Sequence, residues 1–147
     1  MATMIKFRAW DKETNKYFEP TYQAYMGRLE ELTIGLSGRL QKRTYRGVVD
    51  ESVFPGRYVV EQFTGLKDVN GKDIYDGDIV SVFNEDGNYY NDVIEWCIKY
   101  NYPAFELKYH SHLYESNALS EIMNAGVENI KVIGNVHENP ELLEADK

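Results

Sequence analysis

The stretch Tyr58-Val-Val-Glu-Gln-Phe-Thr-Gly-Leu-Lys-Asp-Val-Asn-Gly-Lys-Asp-Ile-Tyr-Asp-Gly-Asp-Ile-Val-Ser-Val-Phe83 decides the fold class. It opens on a β-branched run, Tyr58 to Phe63, that reads as a strand. Asn70-Gly71 follows, a tight-turn dipeptide because both positions tolerate positive φ. Asp76-Gly77-Asp78 is a second turn, and Ile79 to Phe83 a second strand. Short strands separated by glycine-bearing turns are the pattern of an antiparallel β protein.

Working toward the C-terminus, the pattern repeats. Asn84 to Asn88 reads as a turn, Asp92 to Ile98 as a strand, and Phe105 to Tyr109 alternates strictly as another. Asn117 can cap a short helix over Ala118 to Met123, which Gly126 ends. Ile130 to Val136 is a further strand, and Asn139-Pro140-Glu141 opens a last helical turn. Toward the N-terminus, Ile5 to Trp10 alternates, Asp11 to Asn15 is a polar turn, and Lys16 to Glu19 returns until Pro20 ends the pairing. Residues 21–58 are less regular. Tyr22, Tyr25, Met26 and Leu29 have helical spacing, which predicts a short helix near 22–32. Leu32 to Leu40 alternates like a strand despite Gly35 and Gly38, and Asp50 to Gly56 reads as a loop. The expected architecture is mainly β (α+β). A mixed hairpin-and-helix subdomain spans 1–58, and a small antiparallel barrel spans 59–147.

Composition bounds the rest. The 147 residues are 43% hydrophobic, with a mean hydropathy of −0.53 and a single cysteine, Cys97. The length suits one domain or two small subdomains, and the apolar content excludes wholesale disorder. No run is long and apolar enough for a membrane span. The start, MATMIKFRAWDK, has no apolar signal core, so a cytoplasmic protein without disulfides is expected.

Net charge is −8, from 16 basic and 24 acidic side chains, and it is uneven. Residues 61–95 hold nine acids and two bases, a net −7. Arg39, Lys42, Arg43 and Arg46 form the opposite run, four bases without an acid. That run reads either as a phosphate-contacting patch or as a solvated strand edge, where bases discourage pairing. A pI near 4.9 opposes steering toward nucleic acid. Opposite charges on separate regions also suit contact between copies of the chain. Twelve tyrosines are present, six of them between 89 and 114, including Tyr89, Tyr90, Tyr100 and Tyr102. Rigid amphipathic rings serve packing, protein interfaces or base stacking.

Chemistry-bearing motifs are sparse. Asp76-x-Asp78 beside Asp73 offers carboxylates to a cation, but it lacks the spacing of a calcium loop and reads as turn-forming. His110-x-His112 is a zinc half-site with only His137 and Cys97 to complete it. Cys97 lies in an apolar strand with nothing nearby to activate it. Phosphate-loop, dinucleotide and nucleophile-elbow motifs are absent. No catalytic, cofactor or metal residue is assigned, and an enzyme is not expected.

Four ordered phrases carry a resemblance. Ile5-Lys-Phe-Arg-Ala-Trp-Asp11, Gln62-Phe-Thr-Gly-Leu-Lys-Asp68, Asn70 to Val80 and Val132-Ile-Gly-Asn-Val-His-Glu-Asn-Pro-Glu-Leu142 together resemble the YopX family of bacteriophage and prophage proteins. About residues 20–57 and 99–129 are unmatched. The resemblance implies an SH3-like C-terminal barrel, an N-terminal mixed subdomain, a bacterial cytoplasm and homo-oligomers, but no activity. Its residues also have a physical reading. Gly65, Gly71, Gly77 and Gly134 suit turns or kinks, Asp68 and Asp78 suit local backbone bonds, and Trp10 suits a cover over a barrel mouth.

These readings lead to a non-enzymatic interaction and self-assembly module, with a host or phage protein as a further partner. The first alternative is nucleic-acid binding through residues 39–46 with tyrosine stacking. The second is an acidic mimic of DNA built on residues 61–95.

Overall fold

The computed structural model describes residues 5–23, 28–87, 89–97, 104–110, 122 and 128–144. The chain is mainly β, with curled antiparallel sheets. It divides into two compact units, Ala9–Val60 and Met1–Arg8 with Glu61–Lys147. Twelve strands are described: β1 (Phe7–Asp11), β2 (Lys16–Tyr17), β3 (Thr21–Gln23), β4 (Arg28–Ile34), β5 (Leu40–Thr44), β6 (Gly47–Asp50), β7 (Tyr58–Lys67), β8 (Asp73–Tyr75), β9 (Asp78–Phe83), β10 (Tyr89–Cys97), β11 (Ala104–Leu107) and β12 (Asn129–Asn135). They form three four-stranded sheets, ordered β2-β1-β7-β8, β11-β10-β9-β12 and β3-β4-β5-β6.

The larger unit is built around β9. This strand pairs antiparallel with β10 on one side and β12 on the other, with Val80 opposite both Asp92 and Val132. Ile79, Val80 and Val82 are fully buried, as the apolar run predicts. They join Ile74, Ile94, Leu107, Ile122, Ile130 and Val132 to make the core. Each such side chain contributes about 1.5–3 kcal/mol by leaving water. Asp68 closes the turn between β7 and β8 and reaches beyond it. One carboxylate oxygen accepts from Asn70 and Lys72 N–H at 2.9 Å, and the other accepts from Val132 N–H at 2.9 Å. Burial acts to raise the Asp68 pKa, but those backbone bonds outweigh it and hold the carboxyl below its ordinary range. Near the end of β12, Gly134 sits at a register shift. A Cβ there would lie 2.5 Å from the Asn139 side chain, whose oxygen caps Asn135 N–H.

The smaller unit contains the β3-β4-β5-β6 meander and a 3₁₀ turn, Glu51–Val53. Trp10 and Leu40 are buried, and Trp10 meets Tyr17 edge-on at 5.1 Å. Tyr58 takes Phe18 and Phe54 edge-on at 6.0 and 5.6 Å. Asp11 receives Arg57 Nε and Nη2 at 3.1 and 3.0 Å, which holds the Asp11 carboxyl below its ordinary pKa.

Where a helix is expected over 22–32, the described residues, 22–23 and 28–32, are strand, and 24–27 lie outside the described residues. Tyr22 lies opposite Leu29, and β4 continues to Ile34. Cross-strand register overrides the local spacing. Glu30 and Glu31 face Thr44 and Arg43 of β5, and Leu32 faces Lys42. The strand expected over 32–40 is cut by a turn at Gly35–Gly38, where Gly38 N–H donates to Gly35 O at 2.9 Å. The helix expected over 118–123 lies outside the described residues except for Ile122, a buried core residue.

Candidate functional site

The larger unit buries an ionic network that the strand phase creates. In β7, Val59, Glu61 and Phe63 share one face by period two, so Glu61 enters an apolar side. It is only 3% exposed. Arg8 Nε donates to Glu61 Oε1 at 2.8 Å, and Arg8 Nη2 donates to Asp78 Oδ1 at 2.7 Å. The guanidinium also lies 4.6 Å from the Tyr75 ring centroid. Asp78 Oδ2 accepts Tyr75 N–H at 2.8 Å and closes the turn between β8 and β9. His137 Nε2 stands 3.0 Å from Glu61 Oε2. A carboxylate only accepts, so the proton of that contact sits on Nε2. Burial raises the Asp78 pKa, with Arg8 opposing. Asp76 is raised by burial first and by the Glu61 charge second.

Gly77 makes the network possible. Its φ is +87°, and its peptide is tied on both sides, N–H to Ile94 O at 2.8 Å and O to Val136 N–H at 3.0 Å. A Cβ would fall 2.2 Å from Glu61 Oε2. The Glu61 carboxylate therefore rests on the bare α-carbon.

A second buried carboxylate holds the exit from β11. Asp92 is fully buried, on the same face of β10 as Tyr90 and Ile94. It accepts Tyr109 N–H at 3.0 Å, His110 N–H at 2.8 Å and His110 Nδ1–H at 2.6 Å. Tyr90 stacks on the His110 ring at 3.9 Å. A carboxylate-held imidazole is a geometry used for proton transfer, and here it also fixes the Lys108–His110 turn. Among the described residues no three His, Cys, Asp or Glu side chains converge as metal ligands.

The structure gives the sequence-predicted residues other surroundings. Three of the four bases of the 39–46 run meet carboxylates. Arg39 grips Asp50 through Nε at 2.9 Å and through Nη2, Arg43 meets Glu31 at 3.6 Å, and Lys42 lies 3.9 Å from Glu30. Arg39 pulls the Asp50 pKa down. Arg46 Nε donates to the Tyr45 hydroxyl at 2.9 Å. Phosphate contact by this run would have to displace those acids. The acidic segment is also less acidic at the surface than its count implies. Of its nine acids, Glu61, Asp68, Asp78 and Asp92 are buried. Tyr90 is half-buried and packs against the core. The Tyr89 side chain, Tyr100, Tyr102, His112 and the Cys97 thiol lie outside what the structure describes. Neither network was found from the sequence. The available signal was phase: Glu61 and Asp92 are charges at apolar positions of strands, and such a charge needs a buried partner.

No helix among the described residues is long and apolar enough to cross a membrane. Two solved structures are similar to the chain over most of its length. The chain is similar to protein EF1440 from Enterococcus faecalis, with 26% identity, a TM-score of 0.58 and coverage of 97% of this chain and 99% of that one. It is similar to protein yopX from Bacillus subtilis, with 25% identity, a TM-score of 0.58 and the same coverage. No curated protein is similar enough to count as a match. The family model described as YopX protein matches residues 6–144, a span that holds the four ordered phrases from Lys6 onward, the Arg8–Glu61–Asp78 network and the Gly77 turn: the chain belongs to the YopX family.

Proposed function

We propose that the chain is a non-enzymatic interaction and self-assembly module of phage or prophage origin, working in a bacterial cytoplasm. We carry the SH3-like closure of residues 59–147 into this reading as the family phrases imply it. The observation that supports assembly is β6. Among the described residues it is one of the two edge strands of its sheet, and it leaves Val48 60% exposed. An open edge bearing an apolar side chain is a template for another strand. Tyr45 and Val53 flank it, also exposed. Antiparallel pairing of two β6 strands about Val48 and Val49 sets Arg46 of one copy opposite Glu51 of the other. That complementarity fixes register between copies.

Size-exclusion chromatography with light scattering tests it. At about 50 μM the wild type runs as a dimer or larger, since a dissociation constant near 1 μM is then exceeded. Val48→Lys puts a charge on the edge and gives a monomer. A wild-type monomer at that concentration overturns the reading, as does a Val48→Lys variant that still associates.

A further inference from the structure

We propose that the cavity beside Phe54-Pro55-Gly56 binds a small organic anion, a carboxylate or phosphate ester carried on an apolar body. The smaller unit contains a cavity of about 590 Å³ lined by Lys12, Lys42, Arg57 and Glu13 together with Val53 and Phe54. A second cavity of about 270 Å³ adjoins it across Phe54-Pro55-Gly56 and is bounded by Leu40 and Tyr58. The larger volume suits a small ligand.

The charge there runs against the chain. Three cations face one carboxylate in a protein of net charge −8. Arg57 is already balanced, by Asp11 through two bonds and by Glu13 at 3.1 Å. Lys42 is not. Its side chain is 12% exposed, yet its only carboxylate neighbour among the described residues, Glu30, stands 3.9 Å away, beyond hydrogen-bond reach. Glu30 is itself half exposed to water. The ammonium otherwise lies 6.0 Å from the Tyr58 ring centroid.

Tyr58 supplies the second unfilled group. Its hydroxyl is buried with no hydrogen-bond partner among the described residues. Buried ammonium and hydroxyl groups are ordinarily bonded, because each gives up water on burial. Lys42 lines the larger cavity and Tyr58 the smaller one beside it, and the under-satisfied ammonium marks the place of an acceptor. An anionic head group takes the Lys42 ammonium. Lys12 stands at the rim, fixed by its N–H bond to Arg57 O at 2.9 Å. The ligand's apolar body lies against Val53 and Phe54. A cation would meet the wrong charge, and a bare anion would leave the apolar lining unused.

The test is a ¹⁵N–¹H titration of the full chain with phenyl phosphate, benzoate, inorganic phosphate and benzylamine. Phenyl phosphate or benzoate shifts the amides of Lys12 and Val53–Arg57, with a dissociation constant at or below about 1 mM. The tighter of the two identifies the head group. Lys42→Met keeps the aliphatic stem and weakens binding by about tenfold, the loss of one charge-assisted bond. Lys12→Gln, at an exposed position, weakens it by a smaller factor and stands in if Lys42→Met does not fold. The proposal is overturned if neither aromatic anion shifts these amides, if benzylamine shifts them equally, if inorganic phosphate binds as tightly as phenyl phosphate, or if both lysine variants bind like wild type. Self-association through β6 is read separately, so each can fail alone.

Discussion

Gly77→Ala isolates the buried network from the turn that carries it. A Cβ at residue 77 meets two penalties. The first is backbone: at φ +87° an L-residue costs about 1–2 kcal/mol. The second is contact, because the new carbon lies 2.2 Å from Glu61 Oε2 and 2.9 Å from Glu61 Cδ. The turn cannot yield easily, since Gly77 is bonded to Ile94 and Val136. Glu61 must move, which gives up its 2.8 Å bond from Arg8 and its 3.0 Å contact with His137 in a nearly dry site. Breaking a buried pair of this kind costs about 3–5 kcal/mol. The expected loss is therefore about 4–7 kcal/mol, a large share of a domain's usual stability of about 5–15 kcal/mol. Gly71→Ala is the matched control. Its φ is +81°, but nothing lies within 4 Å of the added carbon, so only the backbone penalty of about 1–2 kcal/mol applies. Urea unfolding followed by circular dichroism and by Trp96 fluorescence measures both. In a Glu61→Ala background the Gly77→Ala cost should shrink to the control value, which a double-mutant cycle reads directly. Equal losses for Gly77→Ala and Gly71→Ala, within about 0.5 kcal/mol, would refute the reasoning.

Asp92→Asn places an amide donor among N–H groups that need an acceptor, costs about 3 kcal/mol and strips hydrogen-exchange protection from the Tyr109 and His110 amides. Retained protection would mean that Asp92 does not hold that turn. Asp11 has a folded pKa below its ordinary 3.8, so its pair with Arg57 adds stability above pH 3.8 that is lost as pH falls through the folded value. Asp11→Asn should flatten the stability curve in that window, and an unchanged acid limb would count against the pair. Asp76 has the opposite sign: its raised pKa means that stability present below pH 3.8 is lost as pH climbs through the folded value. Asp76→Asn should gain on wild type as pH rises from 3.8 toward neutrality, measured by thermal melts across a pH series.

The fold was readable where strands are long, apolar on one face and punctuated by glycine. Ile79 to Phe83 shows this, since its β-branched residues have one favourable state and Gly77 marks its start. The 21–34 segment shows the limit. Tyr22, Tyr25, Met26 and Leu29 fit a helical stripe, while the pairing of β4 with β5 is decided by Arg43, Lys42 and Leu40 at later positions. A local window does not contain those partners. Cross-strand pairing is worth about 0.2–1 kcal/mol per pair, enough over five registered pairs to outweigh helix propensity.

The charge was readable as a sum and misleading as a surface. Residues 61–95 count as a net −7, yet four of the nine acids are structural anchors inside the fold. Asp68 ties a turn to β12, Asp78 and Glu61 hold Arg8, and Asp92 holds His110. None of these four offers charge to a partner. The basic run is altered in the same way by Asp50, Glu31 and Glu30. The two oppositely charged regions thus present less charge at the surface than their residue counts imply. Under the proposed self-assembly, contact between copies rests on the Val48 edge. Recognition of an anion falls to Lys42, whose carboxylate neighbour stands too far away to bond it.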